Sequence, residues 1–189
     1  MTRTEALNED PRPDGLRGAE SLVIVLTGNG KGKSSSAFGM VMRALARDWK
    51  VAVVQFIKSG EWQAGERTIC ERLGVQWHSL GAGFTWDSQD IEHDRRLAAE
   101  AWAFASELIG SGGFDLVVLD EVTYLMSWNW VDTERIVTTI ANRPSHVNLV
   151  CTGRDAPPEL VAVADTVTSM TNVKHAYDRG IAAKRGLDY

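Results

Sequence analysis

A chain of 189 residues with 44% hydrophobic and 24% charged content is long enough for one substantial core and too short for two ordinary domains. Its net charge of −5 is spread over both signs with no basic run of five or more, so the sequence-independent attraction for polyphosphate that nucleic-acid binding needs is missing. Cys70 and Cys151, each inside an apolar stretch, fit buried small side chains in a reducing compartment better than a disulfide framework. No run resembles a signal sequence or a membrane span, so a cytoplasmic protein with no membrane partner is expected.

Residues 1–20 are polar, and Pro11, Pro13, Gly15 and Gly18 interrupt any periodicity. A flexible N-terminal segment is therefore expected, followed by one domain over 21–189. From Ser21 onward short apolar runs alternate with helical patterns. The runs are 21–27, 51–57, 75–80, 115–120, 147–153 and a weaker one at 166–170; apolarity on consecutive residues implies strands covered on both faces. Between them, 35–49, 65–74, 91–110 and 133–142 repeat apolar residues mostly at three- and four-residue intervals, as amphipathic helices do. The alternation predicts an α/β fold, a parallel sheet with helices on both faces.

Between the first strand and first helix lies Thr27-Gly28-Asn29-Gly30-Lys31-Gly32-Lys33-Ser34. Its glycines let the backbone turn tightly and present N–H groups to phosphate oxygens. The helix N-terminus adds positive potential, Lys33 a point charge and Ser34 a hydroxyl for Mg²⁺. The general phosphate-loop pattern has its first glycine five residues before the last, where this chain has Thr27. Asp120 and Glu121 end the fourth apolar run, at the sheet edge where open parallel sheets bind ligands. They could hold Mg²⁺ directly or through water, or simply cap the next helix. Arg154, after the fifth run, could meet phosphates or form a surface salt bridge.

A phosphate loop with a strand-end carboxylate suits an ATPase, a small-molecule kinase or a switch equally well. Phe84 and Trp86 stand among glycines and polar residues after the third strand, which suits a flat apolar ligand or packing against a neighbouring helix. The four histidines have no zinc-like spacing and are assigned no role.

Taken together, several segments resemble the ATP:corrinoid adenosyltransferase family of cobalamin biosynthesis and salvage. They are Gly28 to Lys33, Val54 to Lys58, Gly83-Phe84-Thr85-Trp86, Leu119-Asp120-Glu121 with Thr123-Tyr124, Thr152-Gly153-Arg154, and Val173 to Asp178. The resemblance implies a single P-loop NTPase-like (RecA-like) domain and a homodimer. The reaction it implies moves the 5′-deoxyadenosyl group of ATP to a corrinoid Co(I), with a flavoprotein as a possible electron donor. ATP would lie on Gly28, Asn29, Gly30, Lys31, Gly32, Lys33, Ser34 and Ser35, with the triphosphate running opposite to the usual direction, and the shifted glycine is then no defect. Mg²⁺ or Mn²⁺ would sit at Ser34, Glu121 and Asp120. Phe84 and Trp86 would face the corrin and exclude a lower axial ligand from cobalt. Lys31, Arg43 and Arg154 are further candidates for holding charge on the departing triphosphate. Where similar proteins commonly carry two threonines, this chain has Ser34-Ser35, which keeps the hydroxyl.

Overall fold

The computed structural model describes residues 10, 12–57, 65–81 and 90–188. Among them are six strands: Val23–Thr27 (β1), Val51–Gln55 (β2), Gln76–Ser79 (β3), Leu116–Asp120 (β4), Asn148–Thr152 (β5) and Thr166–Ser169 (β6). They form one sheet in the order β3-β2-β4-β5-β1-β6, with every neighbouring pair parallel. The helices are Lys33–Leu45 (α1), Gly65–Arg72 (α2), Ile91–Gly110 (α3), Thr123–Ser127 (α4), Thr133–Ala141 (α5) and Pro158–Val163 (α6). None of the described helices is long and apolar enough to cross a membrane.

The period of two in each strand divides the core between the two faces of the sheet. Val23 and Val25, Val117 and Leu119, and Leu149 and Cys151 pack with α3, α4, α5 and α6, around the fully buried Trp102, Ile109, Ile136 and Ile140. Their alternates Leu26, Leu116, Val118 and Val150 pack with α1 and α2 through Ala37, Phe38, Val41 and Cys70. β2 and β4 are buried along their whole length, as strands covered on both faces should be. β3 and β6 depart from that expectation: they close the two ends of the sheet, and β6 is exposed at all four residues.

Helix limits show the same local causes. The apolar pattern at 35–49 continues past the helix, because Asp48 takes φ +58° and the Trp49 N–H returns to the Ala44 carbonyl at 3.2 Å, ending α1 at Leu45. Asp90 starts α3 and Asp132 starts α5 by accepting the N–H groups of His93 and Glu134, each at 3.0 Å, which are ordinary N-cap contacts. α4 and α6 have only five and six residues, too few to show a helical period.

Both cysteines are free and buried. Burial pushes the Cys70 thiol up to about 11 and the Cys151 thiol up to about 12. Thiolate is the reactive species, so neither cysteine is expected to react with a disulfide exchange reagent at neutral pH in the native protein, and both should react in denaturant. Rapid labelling of the folded chain would contradict the packing of β5 and α2.

Candidate active site

All six described strands end in a polar residue at the same edge of the sheet: Thr27, Gln55, Ser79, Asp120, Thr152 and Ser169. In a parallel sheet these ends align, and the register pairs Gln55 with both Ser79 and Asp120. The phosphate loop leaves β1 at this edge and enters α1, whose N-terminus begins at Lys33.

Thr27 is still in β1, its carbonyl accepting the Met170 N–H at 2.8 Å. The turn therefore falls one residue later, at Gly28, where φ is +89° and a Cβ would collide with the Met170 backbone. Gly30 is packed as closely: its N–H donates to the Met170 carbonyl at 2.7 Å, and a Cβ would lie 2.8 Å from Thr171. Positive φ and close backbone approach both require glycine, which explains why the first glycine of the loop is displaced.

Lys33 folds back over the loop and donates to the carbonyls of Gly28 at 2.8 Å and Gly30 at 2.7 Å. Burial, and then the charge of Arg154, hold its ammonium below the usual lysine range, opposed by Glu121 and Asp120. Arg154 and Glu121 are thus electrostatic neighbours of the loop lysine. Tyr124 belongs to the same group, its phenol raised by burial and then by Glu121, with Arg154 opposing.

Beneath the loop Asp120 is fully buried. Its Oδ1 accepts the hydroxyls of Ser34 at 2.8 Å and Thr152 at 2.7 Å, and its Oδ2 accepts the Gln55 amide at 2.9 Å. These donors are what a buried carboxylate requires. Thr152 Oγ1 in turn accepts the Glu121 N–H at 2.9 Å, holding Glu121 at φ +65°. A non-glycine residue in that region is uncommon and is often functional.

The edge therefore gathers Gly28 to Ser34, Asp120, Glu121 and Arg154. Asn29 and Ser35 are exposed on the loop and the first turn of α1. Lys31, also exposed, is ion-paired with Asp188 near the end of the chain. Arg43 is not brought in: ten residues beyond Lys33 it lies about 15 Å along α1, where it lines a cavity with Leu22, Arg47 and Trp49. Phe84 and Trp86 lie outside the described residues. Their segment begins beyond Gly81, whose missing Cβ allows close contact with the Ile57 backbone. Gln55, Ser79 and Thr152 belong to no chemical motif in the sequence, where the available signal is a single polar residue near the end of each apolar run.

A glycine loop clasping a lysine, with a hydroxyl and two carboxylates at the adjoining strand end, has the donors and charges that a nucleotide phosphate site requires. The family model described as ATP:corrinoid adenosyltransferase BtuR/CobO/CobP matches residues 19–189. The chain belongs to this family. It is 39% identical to the corrinoid adenosyltransferase of Escherichia coli K12 over 180 residues, covering 95% of this chain and 91% of that one. Against the corrinoid adenosyltransferase CobA of Salmonella typhimurium LT2 the identity is 39% over 168 residues, 89% and 85% of the two chains. Against the corrinoid adenosyltransferase of Pseudomonas aeruginosa PAO1 it is 43% over 175 residues, 92% and 86%. Family membership selects among the chemistries that a phosphate site alone leaves open.

Proposed function

We propose that the chain carries out its family's reaction at this edge: the 5′-deoxyadenosyl group of ATP passes to the Co(I) centre of a corrinoid, and inorganic triphosphate leaves. The cobalt electron pair forms the bond to C5′ as the C5′–O bond breaks, its electrons departing on the triphosphate. No proton is removed from the nucleophile, so no general base is needed. The chain positions the reactants in line and stabilises charge on the leaving group. Lys33 and the loop N–H groups hold that charge, with Arg154 beside them and Lys31 available once released from Asp188. The reversed run of the triphosphate through the loop leaves C5′ open to the corrin.

One observation carries the metal assignment. Ser34 gives its proton to Asp120 at 2.8 Å, which leaves its oxygen lone pairs free for a cation at the loop. Mg²⁺ retains waters and takes phosphate oxygens with one or two protein ligands, a number that the Ser34 hydroxyl and a strand-end carboxylate can supply. When bound, Mg²⁺ or Mn²⁺ would neutralise phosphate charge. Ser34 and Glu121 would hold it, and Asp120 would act through Ser34.

Phe84 and Trp86 supply the apolar face that keeps a lower axial ligand off cobalt, which eases reduction from Co(II) to Co(I). A homodimer and a flavoprotein electron donor complete the proposal on the family likeness. The deciding experiment is anaerobic incubation with Mg-ATP and chemically reduced cob(I)alamin. Conversion of the corrinoid spectrum to the adenosyl form, with stoichiometric triphosphate, is the expected result. ADP and phosphate with an unchanged spectrum would instead identify a P-loop ATPase or kinase.

A further inference from the structure

We infer that Gln55 is a positioning residue for the metal-bound nucleotide, set by Ser79 and Trp77 and acting through Asp120 on Ser34. This rests on the Mg-ATP reading above. Gln55 is 1% exposed in the middle of a hydrogen-bonded row along the strand ends. Trp77 Nε1 donates to Ser79 Oγ at 3.0 Å, Ser79 Oγ donates to Gln55 Oε1 at 3.3 Å, and Gln55 Nε2 donates to Asp120 Oδ2 at 2.9 Å.

The direction of this row is fixed by chemistry. An indole N–H can only donate, so Ser79 accepts from Trp77, and at the other end a carboxylate can only accept, so Asp120 takes the Gln55 NH₂. The amide then turns its oxygen to Ser79, whose hydroxyl gives it its proton. Trp77 is itself held by Phe38 of α1, with ring centroids 5.2 Å apart. The row therefore runs from the packing of α1 on β3 to the carboxylate beneath Ser34, on the first turn of the same helix.

The consequence concerns which Asp120 oxygen is offered to Ser34. With Gln55 on Oδ2, Oδ1 is turned toward the Ser34 and Thr152 hydroxyls. That keeps the Ser34 proton pointing down and its lone pairs up, toward a cation. Without Gln55 the carboxylate can rotate and Ser34 loses its fixed orientation, while Lys33 and the loop N–H groups still meet phosphate. Gln55 is thus coupled to metal-dependent nucleotide binding and not to nucleotide binding in general.

The test is calorimetric titration of the full chain with ATP, without corrinoid, in Mg²⁺ and in EDTA. The ratio of the two dissociation constants isolates the contribution of the metal. In Gln55→Leu this ratio is expected to shrink about tenfold, the size of one hydrogen bond to a charged group, and in Ser79→Ala about threefold, the size of a neutral one. Affinity in EDTA should remain close to wild type in both. Ser79→Ala keeps the test decisive if Gln55→Leu does not fold, because Ser79 does not touch Asp120. An unchanged ratio, or equal weakening with and without metal, overturns the inference and leaves Gln55 a structural residue. A wild-type chain whose ATP affinity is indifferent to Mg²⁺ overturns the metal assignment itself, and the inference with it.

Discussion

Lys33→Ala is expected to lower kcat/KM for ATP by about 10²–10³, the usual loss when one preorganised charge is removed from a developing anion. The prediction follows from where the ammonium lies. It is partly buried within the loop, bound to the carbonyls of Gly28 and Gly30, so it is in place before phosphate arrives and reorganises little when it does. Those carbonyl contacts also add to loop order, but the loop has other anchors. Gly30 is tied to Met170, and the Gly32 carbonyl accepts the Ser36 N–H at 2.8 Å. The fold should survive. Steady-state kinetics with pre-reduced corrinoid, alongside thermal unfolding, tests both parts. A variant with normal ATP kinetics would remove Lys33 from the site, and one that fails only by unfolding would make its role structural.

The sheet's interior was legible in the sequence because β2 and β4 are buried on both faces, and consecutive apolar runs this short and this rich in valine fit a buried strand better than a helix. The loop was legible because glycine at positive φ and a following Lys-Ser have few substitutes. α4 and α6 escaped because a helix of one or two turns shows no period; α6 was marked only by Pro157-Pro158 at its start, a position where proline fits. The polar row escaped for a different reason. Gln55, Ser79, Asp120 and Thr152 are far apart in the chain and meet only through the parallel register. No local pattern contains that register, although family likeness singled out the segments holding Gln55 and Thr152 without saying what those residues do. Arg43 shows the opposite error: a basic residue in the first helix looks available to phosphate until the length of α1 carries it away from the loop.

Replacing Asp120 should separate two roles that the buried carboxylate combines. Asp120→Ala leaves the Gln55 amide and the hydroxyls of Ser34 and Thr152 without the acceptor they share. Each buried donor left unpaired costs about 1–3 kcal/mol, and partial relaxation around the gap should bring the total to about 3–5 kcal/mol, as when a buried charged network loses a member. Asp120→Asn is milder. Its remaining carbonyl can still accept from Ser34 and Thr152, and Gln55 can turn its own oxygen toward the new NH₂, so about 1 kcal/mol is expected. The charge beneath Ser34 is nonetheless gone in both variants. Urea unfolding should therefore rank Asp120→Asn close to wild type and Asp120→Ala well below it, while turnover falls by about 10² or more in each. If Asp120→Asn kept wild-type turnover, the carboxylate would matter only as a hydrogen-bond acceptor. The orientation of Ser34, not the charge below it, would then be what this edge of the sheet supplies.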